Sequence, residues 1–478
     1  MQTAPLPHDR SRSPLSTQSA AAAEAYREGI ARWRAYDLGA MDCINRAIAH
    51  DEGFALAYVV RAFLNHAQGA MDAAKADTAY AQMLAASATR AERGAIACIA
   101  TIIAGENDRA LAMLRAQLTE FPQDDLSVWV WYGFAGVRGW REDRYAFTYA
   151  LLATLPPYYE EEWWFLGALS YLFHEMDRFA ESRRFAERAL ARYPRDAGAS
   201  HSLSHVFYET SDHRSGITFL NEWMPGYALK APLFGHLAWH LALFELAAGH
   251  YTRALDVYDQ YIAPSVMHSR TALADAASLL WRVQIYGGAD RALPWQSVRE
   301  IADRVAALPG FAFADVHAAM AYGAVGDDAA MDRMIDGLSA LDAQGHPIAG
   351  KVTLPIVRGL RAFSHGAYDE TVRQLAPIMS EVVRIGGSHA QREVIEDTLL
   401  QAYLRTERFD AAEALLRTRL GRRETARDYY WIGRAQAATG QRDVAATSLT
   451  AARDGWPDAD PGAREMTSLL HTISTLAS

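Results

Sequence analysis

An all-α fold, built from a long series of stacked helix pairs, is what three features of this 478-residue sequence predict. Alanine, leucine and arginine are abundant while β-branched runs are scarce, a composition that favours helices. The 17 prolines are widely spaced, so they can end elements rather than interrupt them. A pattern also recurs along the chain: an aromatic residue, two polar residues, a small residue, then apolar positions and often a proline. "NDRALAMLRAQLTEFP" (107–122), "RFAESRRFAERALARYP" (178–194), "HYTRALDVYDQYIAP" (250–264) and "RFDAAEALLRTRL" (408–420) all carry it.

Each of these segments reads as the second helix of a tetratricopeptide repeat, whose small residue lets it press against its neighbour. Aligned on that residue, the anchors fall at Ala40, Ala74, Ala110, Thr148, Ser182, Gly216, Ala254, Ala292, Met331, Thr371, Ala412 and Ala445. Their spacing runs from 33 to 41 residues. Gly216 and Met331 rest partly on spacing, and Met331 is not small. The expected architecture is a right-handed α-superhelix (solenoid) of about twelve such pairs, curling around a concave inner face. Residues 1–20 read as an extended N-terminal arm and 21–457 as the repeat domain. Residues 458–478 read as a C-terminal capping helix that includes "AREMTSLLHTISTLAS".

Composition narrows the function classes. Half of the residues are apolar and 22% are charged, an ordinary globular balance. A net charge of −10 argues against a nucleic-acid partner, which clustered Lys and Arg would have to hold. No apolar run approaches the roughly 20 residues of a membrane-spanning helix. The N-terminal segment lacks the apolar core of a secretory signal. Cys43 and Cys98 are the only cysteines, and their apolar surroundings mark them as reduced filler. A cytoplasmic protein without a membrane partner is expected.

The chemistry gathers around "HSLSHVFYE" (201–209) and "HLAWH" (236–240). Each places two histidines four apart, one helical turn, and the first adds Glu209 a turn further on. With the small anchor numbered position 20 of its repeat, positions 2, 5, 6, 9, 12 and 13 of the first helix face inward. His201, His205, His236, His240 and Glu209 all take such positions. So do Ser278, His317, Trp164, Tyr171 and His174, and one cavity is the expected result. Neutral imidazoles in a confined space repel one another on protonation, which favours proton-transfer or hydrogen-bonding roles. The alternative is a divalent metal such as zinc, with nitrogens about 2.0–2.1 Å from the ion. His201 and Glu209 lie about 12 Å apart along a helix, too far to share it.

At these residues the chain resembles the tetratricopeptide-repeat protein 38 family, from "SPLSTQS" near Ser13 to "IGGSHAQRE" at Ile385–Glu393. "GHLAWHLALFELAAGHYTRALDVYD" and the "ADVH" of Ala314–His317 belong to the same resemblance. It implies the repeat fold and shared polar positions at His201, His205, His236, His240, Asp275, Ser278, Arg282, Asp315, His317, Gln391 and Arg392. It implies no particular reaction. His389 departs from the pattern, which has asparagine there, and is left outside the candidate site.

"GGSHAQRE" lacks the lysine and glycine spacing of a phosphate loop, so it reads as a glycine-started helix whose Gln391 and Arg392 reach the cavity. Arg282 and Arg392 are either carboxylate clamps for a substrate or structural ion-pair partners. Two functions remain. One is a small-molecule enzyme of hydrolase or lyase type, with His201, His205, His236 and His240 moving protons. Glu209, Asp275, Ser278, Arg282, His317, Gln391, Arg392, Tyr171 and Trp164 would then contact substrate. The other is a scaffold binding a peptide or protein partner. An inner stripe rich in histidine, tryptophan and tyrosine favours the first, because open peptide grooves of this repeat favour lysine, arginine and asparagine.

Overall fold

The computed structural model describes residues 14–137, 143–267, 272–287 and 291–477. Among the described residues there are helices and no strands. The chain divides into two compact units, 1–206 and 207–478.

The first unit contains five antiparallel pairs in chain order: α1 (Ala20–Arg34) with α2 (Ala40–His50), α3 (Ala55–Gln68) with α4 (Met71–Leu84), and α5 (Arg90–Ile103) with α6 (Asn107–Glu120). Next come α7 (Asp125–Trp131), continued by a π-helical turn at Tyr132–Val137, with α8 (Arg144–Leu152). After the short α9 (Pro156–Tyr159), α10 (Trp163–Glu175) pairs with α11 (Phe179–Arg192), and α12 (Ala197–Glu209) follows, its last turn falling in the second unit.

In the second unit α13 (His213–Trp223) precedes six pairs: α14 (Phe234–Ala247) with α15 (Tyr251–Val257), α16 (Ala272–Tyr286) with α17 (Trp295–Val305), and α18 (Ala312–Val325) with α19 (Asp328–Ala343). Then follow α20 (Leu354–Ser364) with α21 (Tyr368–Leu375), α22 (His389–Arg405) with α23 (Phe409–Arg422), and α24 (Ala426–Ala438) with α25 (Arg442–Gly455). The final helix is α26 (Arg464–Ala477). Residues 1–13 of the expected arm lie outside the described residues. Residues 14–19 run without helix to Ser19, whose hydroxyl caps the Ala22 N–H at 3.2 Å.

Local chemistry explains where helices begin. Thr89 and Glu92 form a reciprocal capping box on α5, and Ser388 and Gln391 form another on α22. The first helices of central pairs are buried nearly throughout, polar residues included, as α14 and α16 show.

The small-residue anchors hold for most repeats. Ala74, Ala110, Ser182, Ala254, Thr371, Ala412 and Ala445 are each the fourth residue of their helix and each wholly buried. Gly216 belongs with them: a Cβ there would stand 2.5 Å from the Phe244 ring. Met331 also belongs, at 1% exposure, because the facing α18 supplies Gly323 at the contact and leaves the longer side chain room. Two anchors are misplaced. Ala292 is exposed and precedes its helix, and the fourth residue of α17 is the buried Val298. In α2 the fourth residue is Cys43, buried, rather than Ala40. A longer connection between α16 and α17 displaced the count in the first case. No helix among the described residues is long and apolar enough to cross a membrane.

Candidate functional site

In the first unit, α12 presents His201 and His205 one turn apart, with Nε2 atoms 2.9 Å from each other. One ring donates and the other accepts, so the pair shares a proton between two tautomers. Their rings meet edge-on at 4.5 Å. From α10, His174 stacks on His205 at 4.2 Å and Tyr171 stacks on His201 at 6.1 Å. Burial first, then neighbouring Tyr145 and Glu175, push the Tyr171 phenol well above its ordinary value. Tyr171 is therefore a neutral hydroxyl. Trp164, also on α10, is not brought to this group. It sits in the core against Trp129 and Tyr159, with the Arg34 guanidinium 4.1 Å above its ring.

In the second unit, α14 presents His236 and His240, and α16 meets them with Asp275. His236 Nδ1 lies 2.8 Å from Asp275 Oδ1, so the carboxylate accepts the Nδ1–H and leaves Nε2 as the acceptor nitrogen of the neutral ring. His236 lies flat on Trp239, ring centroids 5.1 Å apart, and His240 meets His236 edge-on at 5.0 Å. Trp239 is itself fixed, its Nε1–H donating to Ser278 Oγ at 3.0 Å. Ser278 thus holds the wall of the dyad.

Arg282 ties this group to the start of α22. Its NH1 donates to Ser278 O at 3.3 Å and its NH2 to Ala390 O at 2.6 Å, while Nε stands 3.7 Å from Asp397 Oδ2. The guanidinium is buried and spent on protein acceptors. His317 of α18 donates its Nδ1–H to Phe313 O at 2.6 Å, leaving Nε2 a buried acceptor with no partner among the described residues. Burial pushes its pKa down to about 4, against a smaller lift from the Phe313 carbonyl and Asp275. Asp315, two residues earlier, moves up to about 6 on burial, against the pull of the Gly310 N–H at 2.9 Å.

Glu209 at the end of α12 has His389 as its partner, Oε1 to Nδ1 2.9 Å. Burial raises the Glu209 carboxyl, but the hydrogen bond and charge of His389, with Arg423, bring it below its ordinary value. His389 is the residue sequence reasoning left out. Beyond it, Glu393 receives both Glu393-facing bonds of Arg423 NH2, at 2.7 and 2.8 Å, and the Tyr208 hydroxyl. The signal was present in the sequence: His389, Glu393 and Asp397 recur every fourth residue, on one stripe of α22. Gln391 and Arg392 serve their own turn, Gln391 Oε1 accepting the Ser388 N–H at 2.9 Å and Arg392 bonding the Gly387 carbonyl.

Two arrangements fit a metal in part. The ring nitrogens of His236 and His240 lie within 4.8 Å of one another, and Asp275 orients His236 as carboxylates orient zinc-bound histidines. His201 and His205 form a similar pair by themselves. His389, Glu393 and Glu396 also cluster within 4.8 Å, but Arg423, Arg419 and Arg422 already neutralise those carboxylates, which disfavours a cation.

No known family model matches the chain. Among solved structures, a tetratricopeptide repeat protein from Parabacteroides merdae is 13% identical, over 66% of this chain and 99% of that one, at a TM-score of 0.31. A human IFIT1 dimer with m7Gppp-AAAA is 13% identical over 84% of this chain and 90% of that one, at a TM-score of 0.42. These values add nothing to the tetratricopeptide-like helix pairing seen directly.

Proposed function

We propose that this is a small-molecule enzyme of hydrolase or lyase type, a member of the tetratricopeptide-repeat protein 38 family, working by acid–base chemistry. The observation that carries the reading is the buried His236–Asp275 dyad, 2.8 Å between donor and acceptor. Asp275 fixes the tautomer and would stabilise the imidazolium formed when His236 takes a substrate proton. His240, His201 and His205 are the further proton-transfer groups of this reading. His317 stays neutral near pH 7 and offers Nε2 as an acceptor. Tyr171 offers a neutral hydroxyl, and Glu209 with His389 a second carboxylate–histidine contact. Ser278 and Arg282 hold the dyad's surroundings; Gln391 and Arg392 shape the turn beside it. Trp164 supports the first unit from within. A divalent cation such as zinc would be held by histidine pairs and would lower the pKa of a bound water.

The second reading is a non-catalytic scaffold for a peptide or protein, supported by the repeat fold itself. The cytoplasmic setting belongs to the same proposal, supported by Cys43 and Cys98, two buried unpaired thiols. A thermal-shift screen against a metabolite panel, with elemental analysis, tests ligand binding. Expected is stabilisation of the wild type by one class of polar small molecule, lost in His236→Gln. A protein partner recovered equally by both, with no small-molecule effect, would favour the scaffold.

A further inference from the structure

Apart from the histidine groups, the second unit contains a small polar cavity of ≈ 40 Å³ bordered by four arginines. Arg282, Arg419, Arg423 and Arg427 line it together with Glu393, Asp428 and His213. Most guanidinium nitrogens there are engaged. Arg427 Nε donates to both oxygens of Glu465 at 3.1 and 3.2 Å, and Arg419 NH1 to Asp397 at 2.8 Å. Arg423 spends NH2 on Glu393. Its Nε–H is different: it belongs to a residue 8% exposed and has no acceptor among the described residues. His213 Nδ1 is likewise a buried atom with no hydrogen-bond partner among the described residues.

Burial, and after it the charges of Arg423 and Arg427, push the His213 imidazole down to about 3, so the ring is neutral and free to carry its proton on Nδ1. Four guanidinium groups and two carboxylates share the lining, and Arg419 and Arg427 are further paired with Asp397 and Glu465. Buried donors left unpaired are costly, which makes a bound acceptor favourable. A water needs ~10–15 Å³ by this measure, so the space admits a halide-sized ion with water beside it.

We propose that this cavity binds a small monovalent anion of the halide class, held by Arg423 Nε–H and His213 Nδ1–H. The ion would join α13 to the turn between α23 and α24, independently of any chemistry at His236. The test uses the full chain dialysed into sodium gluconate, then titrated with sodium chloride or bromide at constant ionic strength. Expected is a saturable rise in Tm of about 2 °C or more with either halide. Arg423→Lys, which keeps the charge and loses the Nε–H, should abolish the rise. Should that variant fail to fold, wild-type crystals grown in bromide decide, with one anomalous peak expected beside Arg423 Nε. Superimposable melts in chloride and gluconate, or a bromide-free cavity holding only water, would overturn the proposal.

Discussion

His317 and Asp315, two residues apart on α18, should pull stability in opposite directions as pH changes. His317 titrates at about 4 when folded and near 6.5 when unfolded, so the unfolded chain binds more protons between those values. Stability contributed by the neutral ring is full above pH 6.5 and falls away toward pH 4, by on the order of 3 kcal/mol. Asp315 is raised to about 6 from 3.8, so its protonated form favours the fold and that contribution is lost as pH rises from 3.8 to 6. Urea melts across pH 4–7 should show a flatter curve for His317→Gln and a steeper rise for Asp315→Asn. Two variants changing the slope in the same direction would show that the environments are misassigned. Arg282 teaches a related lesson. From sequence it was a substrate clamp or a structural partner, and only the carbonyls of Ser278 and Ala390 reveal how much of it the fold consumes.

At the scale of the element, the repeat register is the claim most open to test. Ala254 is wholly buried at the tight contact, whereas Ala292 is exposed ahead of α17. Ala254→Leu should cost about 1–3 kcal/mol through overpacking, and Ala292→Leu should stay within about 0.5 kcal/mol. Gly216→Ala should also destabilise, since its Cβ would meet the Phe244 ring at 2.5 Å. Equal denaturation midpoints for Ala254→Leu and wild type would refute this packing. The helices were legible because each short second helix repeats its aromatic, small and apolar positions. The α16–α17 connection was not, because its length obeys no side-chain pattern and a fixed spacing carries the error to Ala292. The same displacement put Ser278 in a counted position that the true anchor, Val298, does not support, yet Ser278 does meet Trp239. His236 and Asp275 were legible as candidates, and their pairing was not, since 39 residues separate them. His389 was missed because a family pattern outweighed the plain observation of titratable residues recurring every fourth position along α22.

For the molecule as a whole, Asp275 is the link between the helix-pair array and the proposed acid–base chemistry. Its carboxylate is 2% exposed and its oxygen is committed to His236. Asparagine at 275 could still accept the Nδ1–H through its own oxygen, so the fold should survive while the stabilising charge is lost. Loss of general-base assistance is worth typically 10²–10⁴-fold in rate. The most direct measurement incubates wild type and Asp275→Asn with a metabolite extract and follows depletion by mass spectrometry. Expected is at least one small molecule consumed by the wild type and consumed about 10²-fold or more slowly by the variant, at nearly equal Tm. An extract left unchanged by well-folded wild type, or turnover indifferent to Asp275→Asn, would contradict it.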